Sequence, residues 1–410
     1  MNLRKRSLKA ALAVCAAAVV LVAGGCAAGH PAARETADLE PVPPGPPSLV
    51  EHWGAFFGGN PGFLDVHLSP VTVTLPGTVT QIGTSNSDEY ALLTNGSVYA
   101  WGMGTQGELG NGSYVNSFEK PVLVRFPPGV KIAYLATDAM PYDTALAVDT
   151  RGNAWGWGDN GGGEFCLGNH QMYSTPVQLP FTDVTTLAGA DAHALYDARG
   201  TVYACGEGMQ GELGDGSTAD STRPVRVAVL GGLPVVKLVA AFANSGALLS
   251  DGRYYDWGYD ADGQVGDGRT GHFADVPVRV DLPGPVVQVA QGGSIWHNGQ
   301  TLALLADGTV WAWGANWEGQ LDNGLTGTGP VPVPVTLPAG TTASGLATGS
   351  GTCYVMTTAG TVYAWGANYA GQIGNGSTAQ APAPVLVATD ATQISSTANN
   401  VEINIPSVKE

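Results

Sequence analysis

Charge is what this chain has least of. Only 12% of its 410 residues are Asp, Glu, Lys or Arg, and the basic ones number 17 against 34 acidic, for a net charge of −17. A chain this acidic, with no basic cluster, is a poor match for a nucleic-acid backbone, so no nucleic-acid partner is expected. It is equally unsuited to electrostatic docking on an anionic bilayer. Catalytic patterns are missing too. There is no Gly-x-Ser-x-Gly elbow, no His-Glu-x-x-His and no Cys-x-x-Cys. No lysine sits in a phosphate-binding loop, and His30, His52, His67, His170, His193, His272 and His297 are scattered without ligand spacing. No catalytic residue, metal ligand or cofactor is nominated, and no enzyme activity is expected.

Cysteine is scarce as well: Cys15, Cys26, Cys166, Cys205 and Cys353. The first two belong to a separate N-terminal object. Arg4, Lys5, Arg6 and Lys9 form a basic start, and Ala10 to Val22 is an apolar run too short to span a membrane comfortably. Small residues then lead into Cys26, a sequence similar to a bacterial lipoprotein cleavage site. Residues 1–25 are expected to be a lipoprotein signal peptide, with Cys26 as the lipidated (palmitate-type) first residue. Residues 26–47 end in Pro-Val-Pro-Pro-Gly-Pro-Pro47, a density that favours an extended spacer. The folded body at 48–410 is thus expected on the extracytoplasmic side of the cell membrane, reaching it through the lipid alone. Three cysteines remain, an odd number, so no full disulfide framework is implied. Spacing leaves open whether Cys166 and Cys205 pair. Cys205 stands where other repeats have Trp and is expected to be a buried core thiol.

What the chain has in abundance is glycine, 59 residues, and it places them periodically. A Trp-Gly pair recurs at Trp53, Trp101, Trp157, Trp257, Trp313 and Trp365, with Cys205-Gly206 as one more version, at intervals of about fifty residues. Seven such units read as the blades of an all-β propeller. Five residues before each Trp from Trp101 onward, and before Cys205, is a Gly, mostly preceded by Asn, Asp or Arg, which predicts a hairpin turn of the two-residue kind. Three residues past the Trp stand Gly104, Asn160, Gly208, Asp260, Asn316 and Asn368, types that tolerate the left-handed region. A Pro-Val segment farther on, such as Pro121-Val122 or Pro277-Val278, suits an edge strand. The Gly-x-Gly-x-x-Gly matches at 102, 156 and 206 lack a following helix and a βαβ unit, so they are the repeat's own loop. Asp260-Ala-Asp262-Gly263 resembles a calcium loop, but Gly258 and Arg269 stand where ligands should.

Asp307 to Leu321, reading Asp-Gly-Thr-Val-Trp-Ala-Trp-Gly-Ala-Asn followed by Gly-Gln-Leu, resembles the regulator of chromosome condensation repeat. The resemblance covers about residues 48–405 and implies a seven-bladed β-propeller. Leu49 to Trp53 has no hairpin partner before it and Val401 to Ile405 has none after it. Pairing the N- and C-terminal strands would close the ring and remove two exposed edges.

Function is expected where the repeats differ. The loop before each blade's hairpin and the loop after Trp-Gly lie at the same end of the meander. The first set offers Asp88, Glu89, Met140, Tyr142, Asp143, Trp296, His297 and Tyr354. The second offers Phe56, Phe57, Met209, Trp317 and Tyr369. Aromatic residues at variable loop positions are common interface anchors. The first expectation is a monomeric, surface-anchored module that binds an extracellular or surface protein. Within the resemblance, a secreted propeller inhibits class A β-lactamases through such a face, although its loop residues do not match these. The resemblance also implies guanine-nucleotide exchange. Against that stand the export signal and the near absence of the family's Gly-x-x-His motif, kept in form only at His193. A third reading is a glycan stacked on Trp296 and Trp317.

Overall fold

Seven four-stranded antiparallel sheets make up the computed structural model, and no helix is present among the described residues. Those residues are 45–405 apart from 58–62, 86, 137–142, 191, 229, 294–298 and 398–399. Residues 1–44, where a signal peptide, a lipidated Cys26 and a spacer are expected, lie outside them, as do Met140, Tyr142, Trp296 and His297.

Blade 1 runs Val79–Thr84, Asp88–Leu93, Val98–Gly102 and Ser117–Leu123, each strand pairing with the next. Blades 2 to 6 repeat this order. First strands of neighbouring blades pack on one another around the ring, and the Pro-Val strands are the outer edges. Blade 7 is composite. Gln393–Thr397 and Asn400–Ile405 come from the end of the chain, Ser48–Phe57 and Phe63–Leu75 from its start. Leu49 pairs with Ile405 and Trp53 with Val401, so the expected closure is present.

Two expectations about the repeat need correction. In five blades the hairpin turn is one residue longer than the two-residue form. In blade 1 the Leu93 N–H bonds Ser97 O and the Gly96 N–H bonds Leu93 O, with Gly96 alone at positive φ, +82°. This is a type I turn completed by a left-handed glycine. Blade 3 has the short form: Arg199 and Gly200 both take positive φ, and Ala198 pairs directly with Thr201. The second correction concerns Asn160, Asp260, Asn316 and Asn368, none of which is left-handed. They are clamps. Asn368 Oδ1 accepts the Ile373 N–H, and its Nδ2 donates to Ser377 O and Ala379 O. Asn316 and Asn160 bind their loops in the same way.

The Trp of one blade fastens it to the blade before. Trp157, Trp257, Trp313 and Trp365 are fully buried, and each indole N–H donates to the backbone carbonyl of Glu108, Glu212, Gln264 and Gln320 respectively, at 2.8–3.0 Å. Trp53 does the same to Gln372 O across the closure. A glycine makes room for the ring: a Cβ on Gly110 or Gly266 would lie 2.8 Å from the neighbouring indole. At the junction of blades 2 and 3 both parts are replaced at once. Cys205 stands for the Trp and Cys166 for the Gly, and they form a disulfide. The expected free thiol at Cys205 is therefore half of an inter-blade cross-link.

Candidate functional site

Six pairs of loops meet at one end of the ring. Their contact is a repeated backbone bond: Met103 N–H to Ser87 O, Asp159 to Asp143, Glu207 to Ala192, Tyr259 to Ala243, Ala315 to Gly299 and Ala367 to Gly351, at 2.8–3.0 Å. The second strand's first side chain often adds a bond to the same place. Thr144 Oγ1 donates to Asp159 O, Asn244 Nδ2 to Tyr259 O and Thr352 Oγ1 to Ala367 O. So the two loop sets form one rigid end, held by the scaffold rather than by their variable residues.

On this end the candidate residues separate by burial. Met209, Trp317 and Tyr369 stand at equivalent loop positions of blades 3, 5 and 6 and are 60%, 51% and 43% exposed. The Tyr369 hydroxyl reaches Ser350 Oγ at 3.3 Å, which ties its ring to the neighbouring loop. Tyr354 is different. It is fully buried in the blade 6 and 7 core and donates to Gln372 O at 2.9 Å, so it is a packing residue and not a partner contact. Glu89 is also sealed, accepting from the Trp101 indole at 2.5 Å beside His52. Trp101 turns to Glu89 in place of the carbonyl that its sisters use. Phe56 is buried against Phe118. His193 is sealed too, its Nε2 bonded to Ser245 Oγ at 2.9 Å, and burial lowers its pKa to about 4.

Asp88 and Asp143 come together with Glu108, which the sequence reading passed over. One carboxylate oxygen of each lies within 4.8 Å of the others. Burial, then the charges of Glu108 and Asp143, holds Asp88 well above the ordinary carboxylate range. Burial raises Glu108 to about 7 and raises Asp143 as well. The signal for Glu108 was in the repeat. The same position is Glu in blades 1 to 3 and Gln264, Gln320 and Gln372 in blades 4 to 6.

Lys and Arg are kept away from the paired loops, while acidic residues stand at both ends of the ring, Asp149, Asp183 and Asp251 among them at the hairpin turns. The paired loops, from 85–88 and 103–108 through 348–351 and 367–372, contain acidic residues and no Lys or Arg. Lys131, Arg151, Arg199 and Arg253 lie at the opposite end, in and around the hairpin turns.

Comparison with known proteins agrees with this architecture. The family model for the regulator of chromosome condensation (RCC1) repeat matches residues 95–137, 199–246, 251–295, 307–356 and 359–400, more than half of the chain. The E3 ubiquitin-protein ligase HERC2 of Homo sapiens is 31% identical over 73% of this chain and 6% of its own length. The ultraviolet-B receptor UVR8 of Arabidopsis thaliana is 29% identical over 71% of this chain and 65% of its own. This chain thus spans less than two thirds of either relative. Among solved structures, human WBSCR16 superposes with a TM-score of 0.72 at 18% identity, covering 88% of this chain and 100% of that one. Prp20p of Saccharomyces cerevisiae gives 0.72 at 21% identity, covering 89% and 93%. At such identities the structural likeness speaks for the fold alone.

Proposed function

Because the chain belongs to the regulator of chromosome condensation repeat family, we propose that it is a non-enzymatic binding module that offers the loop end of its ring to a protein partner at the cell surface. One observation carries this reading. Met209, Trp317 and Tyr369 are exposed at the same repeat position, where the other blades manage with Thr105, Gly161 and Ala261. Large rigid side chains exposed on a fixed support are what a protein interface uses as anchors. Of the acids in these loops Asp159, Glu207 and Glu318 are only partly buried, and no Lys or Arg stands among them, so a partner with a neutral or basic surface fits best. Lipid on Cys26 would tether the ring and the Pro-rich stretch to residue 47 would hold it off the membrane. Exchange activity has no comparable support, since His193 is sealed and held by Ser245.

Capture of surface proteins on the immobilised full-length chain tests the proposal. Trp317→Ala and Tyr369→Ala should each weaken capture of the same partner at least tenfold, as expected of an anchor worth more than about 1.4 kcal/mol. Arg151→Ala, at the opposite end, should leave it unchanged. Equal capture by all three variants would move the interface elsewhere. A separate measurement addresses location: Cys26→Ser should shift the chain from the membrane to the soluble fraction.

A further inference from the structure

The repeat provides its own reference for the cluster of Asp88, Glu108 and Asp143. At the position of Asp88 the other described blades carry Thr144, His193, Asn244, Gln300 and Thr352. At that of Asp143 they carry Ser87, Ala192, Ala243, Gly299 and Gly351. Glu108 has Gln counterparts in three blades. Among the described residues, three carboxyl groups are set together only where blades 1 and 2 meet. Among the described residues no Lys, Arg or His forms an ion pair with any of them.

Neutral neighbours hold the group in place without discharging it. The Ser85 hydroxyl donates to Asp88 Oδ2 at 3.1 Å, and the one Ser87 hydroxyl proton is shared between Asp88 Oδ2, at 3.3 Å, and Asp143 Oδ1. The Gln106 N–H donates to Glu108 Oε2 at 2.6 Å. Asp143 accepts from Ser87 Oγ and from Gln106 Nε2. Two oxygens are left over. Asp88 Oδ1 and Glu108 Oε1 are shut off from solvent and have no hydrogen-bond partner, and both residues are 0% exposed. A sealed, bare carboxylate oxygen is costly to leave unmatched. Here two of them belong to carboxyl groups whose oxygens come within 4.8 Å of each other and of Asp143.

We propose that Asp88, Glu108 and Asp143 form a calcium site that ties blade 1 to blade 2 at the loop end of the ring. The donors are all hard oxygens, which selects calcium or magnesium over zinc or copper. Between the two, magnesium demands a near-ideal octahedron and holds on to several waters, whereas calcium accepts an irregular set of protein oxygens, which suits carboxyl groups shut off from solvent. The site is apart from the exposed rim formed by Met209, Trp317 and Tyr369, so it does not depend on the proposed function.

The sister blades supply variants that the scaffold already tolerates. Asp88→Asn installs the residue found at Asn244, and Glu108→Gln the one found at Gln264. The full-length chain, freed of metal with EDTA and dialysed, is titrated with calcium chloride in a calorimeter and melted with and without calcium. The expected result is one saturable binding event and a calcium-dependent rise in Tm. Affinity should fall at least tenfold in each variant, and magnesium should bind more weakly than calcium. Absence of saturable heat and of any Tm shift in the parent chain would overturn the proposal. So would calcium binding in both variants as tight as in the parent, which would mark diffuse attraction to an acidic surface.

Discussion

Glu164 shows how one side chain can set the pH response of the fold. It is 1% exposed, and burial raises its pKa from an ordinary 4.5 to about 8. The folded chain therefore keeps a proton there that the unfolded chain releases above 4.5. Its contribution to stability is complete below pH 4.5 and is lost as pH rises toward 8, at about 1.4 kcal/mol per pKa unit of displacement. Tm should decline from pH 5 to pH 8, and Glu164→Gln should flatten that decline. The exchange is structurally mild, because Gln264, Gln320 and Gln372 occupy the same position, their Oε1 accepting a backbone N–H two residues upstream at 2.8–2.9 Å. An unchanged slope in thermal melts of the variant would mean that Glu164 is ionised in the folded chain.

At the scale of the blade, the junction between blades 2 and 3 is the informative exception. At four other junctions an indole, that of Trp157, Trp257, Trp313 or Trp53, reaches over Gly110, Gly214, Gly266 or Gly374 to a carbonyl; here Cys205 and Cys166 replace both and are joined. Reduction, or Cys205→Ser, removes the link without restoring the indole, and should cost about 2–4 kcal/mol, read as a lower denaturation midpoint. The double change Cys166→Gly with Cys205→Trp rebuilds the arrangement of the sister junctions and should recover much of that loss, while Cys205→Trp alone should clash. A double-mutant cycle in denaturant measures this coupling. The same pair explains what could be read from sequence. Strand order, the outer Pro-Val strands and the buried Trp were legible because they recur. Cys166 was not, because its meaning depends on Gly110 and Gly266 touching the next blade's Trp, a contact between units that alignment within one unit does not display. The clamp role of Asn368 escaped for a related reason. Asn both tolerates left-handed φ and offers an amide, and only the hydrogen bonds to Ile373 and Ser377 distinguish the two. Among the candidate contacts, Trp317 and Tyr354 look alike as aromatic residues near loops. Tyr354 is turned inward to the place that Tyr90 fills in blade 1, two residues into the second strand, each hydroxyl bonding a loop carbonyl of its own blade, Gln372 O and Glu108 O.

The ring as a whole depends on its last strand. Asn400–Ile405 lies between Ser48–Phe57 and Gln393–Thr397, so its loss would strip both neighbours of a partner and open two edges at once. Val401 and Ile403 are fully buried in the core shared by blades 6 and 7. Burying two such side chains contributes about 3–6 kcal/mol, against a total stability of about 5–15 kcal/mol for a typical domain. Other links across the seam do not replace them. Gln393 bonds the backbone of Ile82 and Thr80 in blade 1, and the Trp53 indole bonds Gln372 O in blade 6. Each of these needs blade 7 already assembled to hold its side chain in place. Deleting 401–410 should therefore lower Tm by many degrees and yield aggregated material on size exclusion, through the exposed edges. Trimming only 406–410, which leaves the paired strand whole, should leave both measurements unchanged. A 401–410 deletion that melted with the parent chain would show that six blades hold the ring without the seventh, and that the pairing of Leu49 with Ile405 follows closure instead of causing it.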